Sequence, residues 1–221
     1  MPMNLLSFDT ATHACTAALY VDEKIYSRFQ IVPNQHAALL LSMIQDLLNE
    51  ANITRTELTA IAFGCGPGSF MGVRLATGFA QGLAFGLHIP VISISTLQII
   101  AQVAYEKTGA KKIISGWDAR MHEIYWGIYA SDDNGVVQPQ QEDTLCAPSQ
   151  LDTKLISEVG CIFAGNAWQY FSDNLPSDVS IYPEAKAMLT IALSKYLRGE
   201  ITSPEDAHPH YVRHHVVHNH K

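Results

Sequence analysis

Apolar and polar residues alternate with two different periods along the first half of the chain. Residues 4–8, 14–21 and 25–32 have the short apolar pattern of β-strands, and the turns between them are short enough for an antiparallel meander. From residue 35 to residue 52 the apolar positions recur at the i, i+3, i+4 spacing of an amphipathic helix. The remaining elements predicted in this half are a strand at 59–63, a helix at about 71–86, a strand at 90–94 and a helix at 96–105.

The second half repeats part of this order. The polar segment 108–112 is where we place the start of a second lobe, and the strands predicted beyond it cover residues 112–115, 123–130 and 160–165, with a turn at 117–122 and a helix at 184–197. Alternating strands and helices predict an α/β fold with mixed sheets. The predicted organisation is an N-terminal lobe (1–108), a smaller C-terminal lobe (109–203) and a histidine-rich C-terminal segment (204–221).

Composition and charge exclude several classes of protein. The chain has 221 residues, enough for one domain or two small lobes, and its net charge of −7 argues against binding nucleic acid through a broad basic surface. The four cysteines are scattered, which is typical of reduced thiols in the cytosol. The N-terminus resembles a strand and not a signal peptide, and no apolar run approaches the length of a membrane span. We therefore expect a cytoplasmic protein.

The second predicted helix carries Gly78, Gly82 and Gly86 at a spacing of four residues. Each glycine inside a helix costs about 0.5–1 kcal/mol relative to alanine, so three in register indicate that another backbone approaches this face closely. Two interpretations remain open here. The stripe packs against this chain's own first helix or sheet, or it packs against a helix of another molecule.

Two loops are candidates for binding a phosphate. Asp9, Thr10 and Thr12 follow the first strand, where a carboxylate and two hydroxyls can orient a metal–phosphate group or can simply bond turn amides. The second loop runs from residue 64 to 72 between a strand and a helix, and its candidate anion-binding residues are Gly66, Gly68 and Ser69. It lacks the Walker A lysine and the spacing of a nucleophile elbow. The alternative is a tight turn that lets the next helix pack closely.

No catalytic or metal-binding set is apparent. Among the ten histidines, the cluster in the terminal segment lacks fixed geometry, and the others have no partner at helical ligand spacing. No nucleophile–base pair is recognisable. We therefore predict neither a catalytic residue nor a metal site in this chain.

Four motifs in order resemble the TsaB (YeaZ) family of tRNA threonylcarbamoyladenosine biosynthesis proteins. They are residues 8–12 (FDTAT), 66–74 (GPGSFMGVR), 118–125 (DARMHEIY) and 209–213 (PHYVR), and the one small departure is Met71, where the family usually has threonine. The resemblance implies a duplicated actin-like ATPase fold of the sugar kinase/Hsp70 type, which is ribonuclease H-like, with two lobes and mixed sheets.

The resemblance also implies a function and partners. The chain is expected to be a non-catalytic subunit required for N6-threonylcarbamoyladenosine (t6A) formation at position 37 of tRNAs that read codons beginning with A. It would bind and activate a metal-containing transferase paralogue, TsaD, together with an ATPase, TsaE. It would form a homodimer when the paralogue is absent, contact tRNA only through the complex and carry no cofactor of its own, with ATP or ADP a candidate at the interface with the paralogue.

The resemblance places the partner contact on the two N-terminal helices. The residues assigned to this interface are His36, Leu39, Leu40, Met43, Ile44, Leu47, Arg74, Gly78, Gly82 and Gly86. The paralogue binds its metal with a His-x-x-x-His pair, and by alignment Thr96 and Ile100 occupy those two places here. Because isoleucine cannot ligate a metal, the transfer site is expected to be absent. The alternatives are an active small-molecule kinase or ATPase of the same fold, a peptidase, and a structural scaffold unrelated to tRNA.

Overall fold

The part of the chain that the structure describes contains two β-sheets and four α-helices. The computed structural model describes residues 3–32, 35–151, 160–171, 175 and 177–213. The helices are α1 (His36–Ala51), α2 (Phe70–Leu87), α3 (Thr96–Thr108) and α4 (Ala185–Leu197). The strands are β1 (Leu5–Asp9), β2 (Ala14–Val21), β3 (Lys24–Ile31), β4 (Ala60–Gly64), β5 (Val91–Ile94), β6 (Lys112–Arg120), β7 (Glu123–Ser131), β8 (Val137–Pro139), β9 (Thr144–Cys146), β10 (Cys161–Ala164) and β11 (Ser177–Asp178).

The first sheet has the strand order β3-β2-β1-β4-β5. Strands β1, β2 and β3 form the antiparallel meander predicted from the sequence, while β4 and β5 lie parallel to β1. Helix α2 connects β4 to β5, as a parallel pair requires a crossover on one face. The glycine-rich loop therefore lies at the carboxyl end of β4, beside the carboxyl end of β1.

The second sheet repeats this topology. Its order, β8-β7-β6-β10-β11, contains an antiparallel meander followed by two parallel strands, with β9 also paired to β7. The same sequence of pairings in both sheets confirms the predicted duplicated α/β fold with mixed sheets. The lobe boundaries at residues 108 and 203 stay predictions.

The two sheets share a central apolar layer. Helices α3 and α4 lie between them, and side chains from both helices and both sheets form one cluster of buried residues. Helix α3 follows the first sheet in the chain but packs on strands of the second, and α4 follows the second sheet but packs on the first. Helices α1 and α2 cover the opposite face of the first sheet. Burial of these faces supplies the main driving force for folding.

The structure corrects one element and adds three. The prediction of a turn at residues 117–122 is wrong, because β6 continues to Arg120 and only Met121 and His122 separate it from β7. The short strands β8, β9 and β11 were not predicted. Among the described residues, no helix is both long enough and apolar enough to cross a membrane. Residues 214–221 of the predicted histidine-rich segment lie outside the described residues.

Candidate functional site

The turn after β1 is held by its own side chains. Asp9 Oδ1 accepts a hydrogen bond from Ala11 N at 2.8 Å, and Thr12 Oγ1 accepts one from Ala14 N at 3.1 Å. Thr10 Oγ1 donates to the carbonyl oxygen of Gly72 in α2 at 2.7 Å. Of the two interpretations of this motif, the structure therefore favours side chains that bond backbone groups of the turn and of α2.

The glycine-rich loop packs directly on that turn. A Cβ atom at Gly68 would collide with the carbonyl oxygen of Ala11, and one at Gly72 would collide with the carbonyl oxygen of Thr10. Ser69 caps α2, because its Oγ accepts a hydrogen bond from Gly72 N at 3.1 Å. The loop thus allows α2 to begin close to β1. A phosphate-binding role for Gly66, Gly68 and Ser69 stays a prediction.

Asp9 is a carboxyl group without access to solvent. Its Oδ2 accepts a hydrogen bond from Thr96 Oγ1 at 2.9 Å, at the start of α3. Burial disfavours the charged form and raises the pKa of Asp9 to about 6, although the hydrogen bonds from Ala11 and Thr96 act in the opposite direction. Asp9 does not line the neighbouring cleft. It therefore links the turn to α3 and does not present a carboxylate to a ligand.

A cleft of about 760 Å³ lies between the β1–β2 turn, the start of α2 and the β6–β7 hairpin. Its apolar walls include Phe70, Val73 and Trp117, and His13 and Arg74 also line it. A cleft of this size and composition can hold a small organic molecule.

One wall of the cleft is the C-terminal strap, defined here as residues 207–213. The backbone N–H of His210 donates to the carbonyl oxygen of Cys65 at 2.7 Å, and Gln81 Nε2 in α2 donates to the carbonyl oxygen of Ala207 at 2.8 Å. Arg213, at the end of the strap, donates to the carbonyl oxygen of Ala119 and pairs with Glu123. The strap therefore connects α2 to the β6–β7 hairpin.

The β6–β7 hairpin carries a second ion pair. Arg120 Nη1 lies 3.2 Å from Asp118 Oδ2, and the side chain of Asp118 is 6% exposed while that of Arg120 is 70% exposed. Asp118 Oδ1 also accepts a hydrogen bond from Arg120 N, and Asn166 Oδ1 accepts one from Asp118 N. Asp118 is thus held by Arg120 of its own hairpin and by Asn166, which follows β10.

Helices α1 and α2 form a groove on the outer side of the first sheet. Its volume is about 280 Å³, and Leu41, Leu48, Phe79 and Leu83 are among its apolar lining residues. Gly78 and Gly82 also line it. Apart from their chain neighbours and the adjacent backbone of α2 itself, no described atom lies within 4 Å of the position that a Cβ would take at Gly78, Gly82 or Gly86. The interpretation in which the glycine stripe packs on this chain's own helix or sheet is therefore wrong for the described residues.

The structure corrects part of the interface predicted on α1. Leu40, Met43, Ile44 and Leu47 are between 0% and 5% exposed and pack in the core beneath α1. They hold the helix on its own sheet, and of the four only Ile44 also lines the groove. His36 and Leu39 are half-buried, whereas Arg74 and the three glycines of α2 are exposed.

Comparison with known proteins agrees with this architecture. A family model described as "TsaD: tRNA N6-adenosine threonylcarbamoyltransferase" matches residues 23–214. The tRNA threonylcarbamoyladenosine biosynthesis protein TsaB of Escherichia coli K12 is 36% identical, with 97% of this chain and 96% of that protein covered. TsaB of Haemophilus influenzae is 34% identical, with coverage of 97% and 95%.

The chain belongs to the TsaB family.

Solved structures of TsaB-type proteins have the same fold. The structure of YeaZ from Pseudomonas aeruginosa superposes with a TM-score of 0.89 at 37% identity, covering 95% of this chain and 99% of that one. A second, described as an uncharacterized protein with similarity to peptidase YEAZ from Pseudomonas aeruginosa, gives a TM-score of 0.90 at 38% identity, with coverage of 96% and 100%. The family assignment confirms the resemblance inferred from the four motifs and a role in t6A biosynthesis.

The resemblance predicts that Thr96 and Ile100 of this TsaB-family chain occupy the places of the paralogue's two metal-binding histidines. Thr96 donates its hydroxyl hydrogen to Asp9, and Ile100 is fully buried in the apolar layer between the sheets. Neither side chain can serve as a histidine-type ligand. Across the described part of the chain, no three His, Cys, Asp or Glu side chains are grouped closely enough to hold a metal ion.

Several exposed side chains of this TsaB-family surface were missed by the sequence analysis. Leu41 is 62% exposed, and Phe70, Met71 and Phe85 are 54%, 75% and 59% exposed. The helical periodicity contained a signal for them, since they lie outside the buried stripe of each helix. Tyr211 was also missed, because its contact with α2 joins residues that are far apart in the chain.

Proposed function

We propose that this chain is a non-catalytic subunit required for t6A formation at position 37 of tRNAs that read codons beginning with A. It binds the metal-containing paralogue TsaD through α1 and α2 and activates it, together with the ATPase TsaE. The observation that carries this proposal is the exposed face of α2, where three glycines in register border an apolar groove.

The exposed face of α2 supports a helix-packing partner. Glycines at 78, 82 and 86 destabilise an isolated helix, and no contact within the described chain offsets that cost. A helix from another molecule could approach the α2 backbone closely along this stripe and bury Leu41 and Phe85 as well. Equivalent helices of a paralogue would create a four-helix contact, and a second copy of this chain would do so when the paralogue is absent.

The contacts of Thr96 and Ile100 support the non-catalytic assignment. The hydroxyl of Thr96 is committed to Asp9, and Ile100 contributes only apolar surface. The metal-dependent transfer would then take place in the paralogue. On this proposal the chain has no cofactor of its own, works in the cytoplasm and contacts tRNA only as part of the complex, and a bound ATP or ADP would belong to the interface.

The function is tested by reconstitution with purified components. Formation of t6A on tRNA is measured in a mixture of the paralogue, the ATPase and a source of threonylcarbamoyl-adenylate. This chain is added to one reaction and omitted from the other. We expect product only when this chain and the paralogue are both present. Equal product without this chain would refute the proposal.

The partner surface is tested by Gly82→Glu. The variant should fold as a monomer, because the Cβ position at residue 82 is open, yet it should lose binding to the paralogue because it places a bulky charge in the contact. Leu197→Glu is the matched control, since Leu197 is 76% exposed near the end of α4, outside the groove. Normal binding by Gly82→Glu would refute this surface.

A small-molecule kinase or ATPase is the second candidate, and the cleft of about 760 Å³ favours it. The burial of Asp9 and its hydrogen bond to Thr96 argue against it, since that carboxylate is not available to a metal–phosphate group. ATP turnover by the purified chain alone separates the two candidates. Turnover that Gly82→Glu leaves unchanged would support the kinase.

A further inference from the structure

The exposed face of α2 carries one charge. Helix α2 has 18 residues, and Arg74 is the one charged residue among them. The face on which it lies also contains Phe70, Gly78 and Gly82, one helical turn apart from each other. Arg74 is therefore the single charge on this face of α2 and lies at the end of the glycine stripe nearest to the cleft, while Arg55 lines the groove from outside the helix.

Two aromatic residues hold the guanidinium of Arg74 in place. Its Cζ atom lies 3.7 Å from the centre of the Phe70 ring, and its Nε donates to the Tyr211 hydroxyl at 2.8 Å. The Phe70 and Tyr211 rings stack with their centres 6.3 Å apart. Phe70 is the first residue of α2, whereas Tyr211 belongs to the C-terminal strap. The side chain is thus ordered before any partner binds, which lowers the entropy cost of using it.

The other edge of the guanidinium has no anionic partner in the described part of the chain. No carboxylate of the described residues forms an ion pair with Arg74, although Arg28, Arg120, Arg198 and Arg213 each have one. A partner that covered α2 would remove Arg74 from water. Burying an arginine without an anion is costly, whereas a carboxylate can accept two parallel hydrogen bonds from it.

We propose that Arg74 is the polar anchor of the partner surface and binds a carboxylate of the paralogous subunit, and that Tyr211 positions it for this contact. This inference rests on the proposed function and adds the chemistry by which the partner is recognised. It also gives the C-terminal strap a role, since Tyr211 would fix which edge of the guanidinium faces the partner.

The test measures the dissociation constant for the purified paralogue from the same genome by calorimetry, with variants of the full-length chain. Arg74→Met keeps the length of the apolar stem and removes the charge, Arg74→Lys keeps the charge and removes the planar fork, and Arg74→Glu reverses the charge. We expect the dissociation constant to rise in the order parent, Lys, Met, Glu, with roughly a 30-fold or larger increase for Met. Tyr211→Phe should raise it about 3–10-fold by removing one hydrogen bond while retaining the ring.

Two further measurements separate positioning from general damage. In the Arg74→Met background, Tyr211→Phe should have no additional effect, because the hydroxyl acts through Arg74. Arg198→Ala, which removes an exposed arginine of a different surface, should bind like the parent. Thermal unfolding of every variant should remain cooperative.

Three outcomes would overturn the inference. The first is binding of Arg74→Met with the parent's dissociation constant while Gly82→Glu abolishes binding, which would retain the proposed surface and reject the anchor. The second is equal dissociation constants for Arg74→Met and Arg74→Glu, which would reject the partner carboxylate. The third is an effect of the Arg74 variants on self-association, measured by sedimentation, with no effect on binding of the paralogue. That result would mean that Arg74 contacts a second copy of this chain.

Discussion

Thr96 Oγ1 donates a hydrogen bond to Asp9 Oδ2 at 2.9 Å. Asp9 ends β1 and Thr96 begins α3, which lies between the sheets. The bond therefore fixes the start of the central layer relative to the turn on which the glycine-rich loop packs. It also engages the carboxylate of Asp9, which was a candidate for orienting a metal–phosphate group.

Asp9 should make the stability of the protein depend on pH. Its pKa of about 6 in the folded chain is above the ordinary value of 3.8, so the folded state retains a proton that the unfolded state loses between those values. The free energy of unfolding should consequently fall by about 2–3 kcal/mol as the pH rises from 4 to 6. Asp9→Asn should remove this contribution, because an amide stays neutral and can still accept from Ala11 N.

Urea unfolding at pH 4.5 and pH 7.5 checks this prediction. Asp9→Asn should gain stability relative to the parent at pH 7.5, and the gain should be smaller at pH 4.5. Asp133→Asn, at an exposed position, is the control. A stability difference for Asp9→Asn that is the same at both pH values would contradict the assignment.

Gly64→Ala should be one of the most destabilising single substitutions in the chain. The position that a Cβ would take at residue 64 is occupied by the carboxylate of Asp9, which is fixed by Ala11 and Thr96. Moving a buried, hydrogen-bonded carboxylate should cost more than about 2 kcal/mol. Denaturant unfolding should show strong coupling with Asp9→Ala, since the double variant removes the collision. Additive effects would indicate that the two residues do not meet.

Gly82→Ala should separate stability from partner binding. Its Cβ enters open space within a helix, so the monomer should gain about 0.5–1 kcal/mol of stability. The same methyl group should weaken binding to the paralogue if a helix approaches the α2 backbone there. Thermal unfolding and calorimetry measure the two effects on one sample. A Gly82→Ala variant that is more stable and binds normally would place the contact elsewhere. Asn49→Ala is the helical control, because Asn49 lies on the exposed side of α1 and outside the groove lining.

Asp143 should be important for the contact between the β8–β9 loop and α3. Its carboxylate accepts hydrogen bonds from the hydroxyls of Ser95 and Tyr129, and burial raises its pKa above the ordinary range. Asp143→Ala would leave both hydroxyls without this acceptor and should cost about 1–3 kcal/mol. Asp143→Asn should recover part of the loss, because an amide oxygen can still accept. Unfolding of Asp143→Ala with the parent's midpoint would refute this role.

The sequence predicted the fold well where periodicity and topology act together. All four described helices and the antiparallel meander of the first sheet followed from the spacing of apolar residues and from short turns. The prediction of the turn between β6 and β7 was wrong for a local reason. Met121 and His122 adopt positive φ values of 55° and 58°, a conformation usually signalled by Asn-Gly, so nothing in the sequence marked a two-residue turn there.

The partner surface on α1 and α2 stays a prediction, and the structure changes which residues of α1 are available to it. The periodicity of α1 identifies its apolar stripe, but a single sequence does not say whether that stripe faces the chain's own sheet or a partner. Leu40 and Leu47 turned out to be core residues, and the exposed Leu41 was omitted. On α2 the spacing of the glycines predicted a close approach by another backbone; their Cβ positions are open in the structure, and their part in a partner contact stays a prediction. The contact of Tyr211 with Arg74 could not be predicted from the sequence, because the two residues are far apart in the chain and only the fold brings them together.

The exchange of α3 and α4 between the two sheets also bears on how the protein acquires its structure. A fragment that ended after α3 would lack the helix that covers the inner face of its own sheet, and α3 would have no second sheet on which to lie. Neither half is therefore a self-sufficient folding unit. Synthesis from the N-terminus must be nearly complete before the central layer closes, and unfolding should proceed as one cooperative transition with no stable half-molecule along the way.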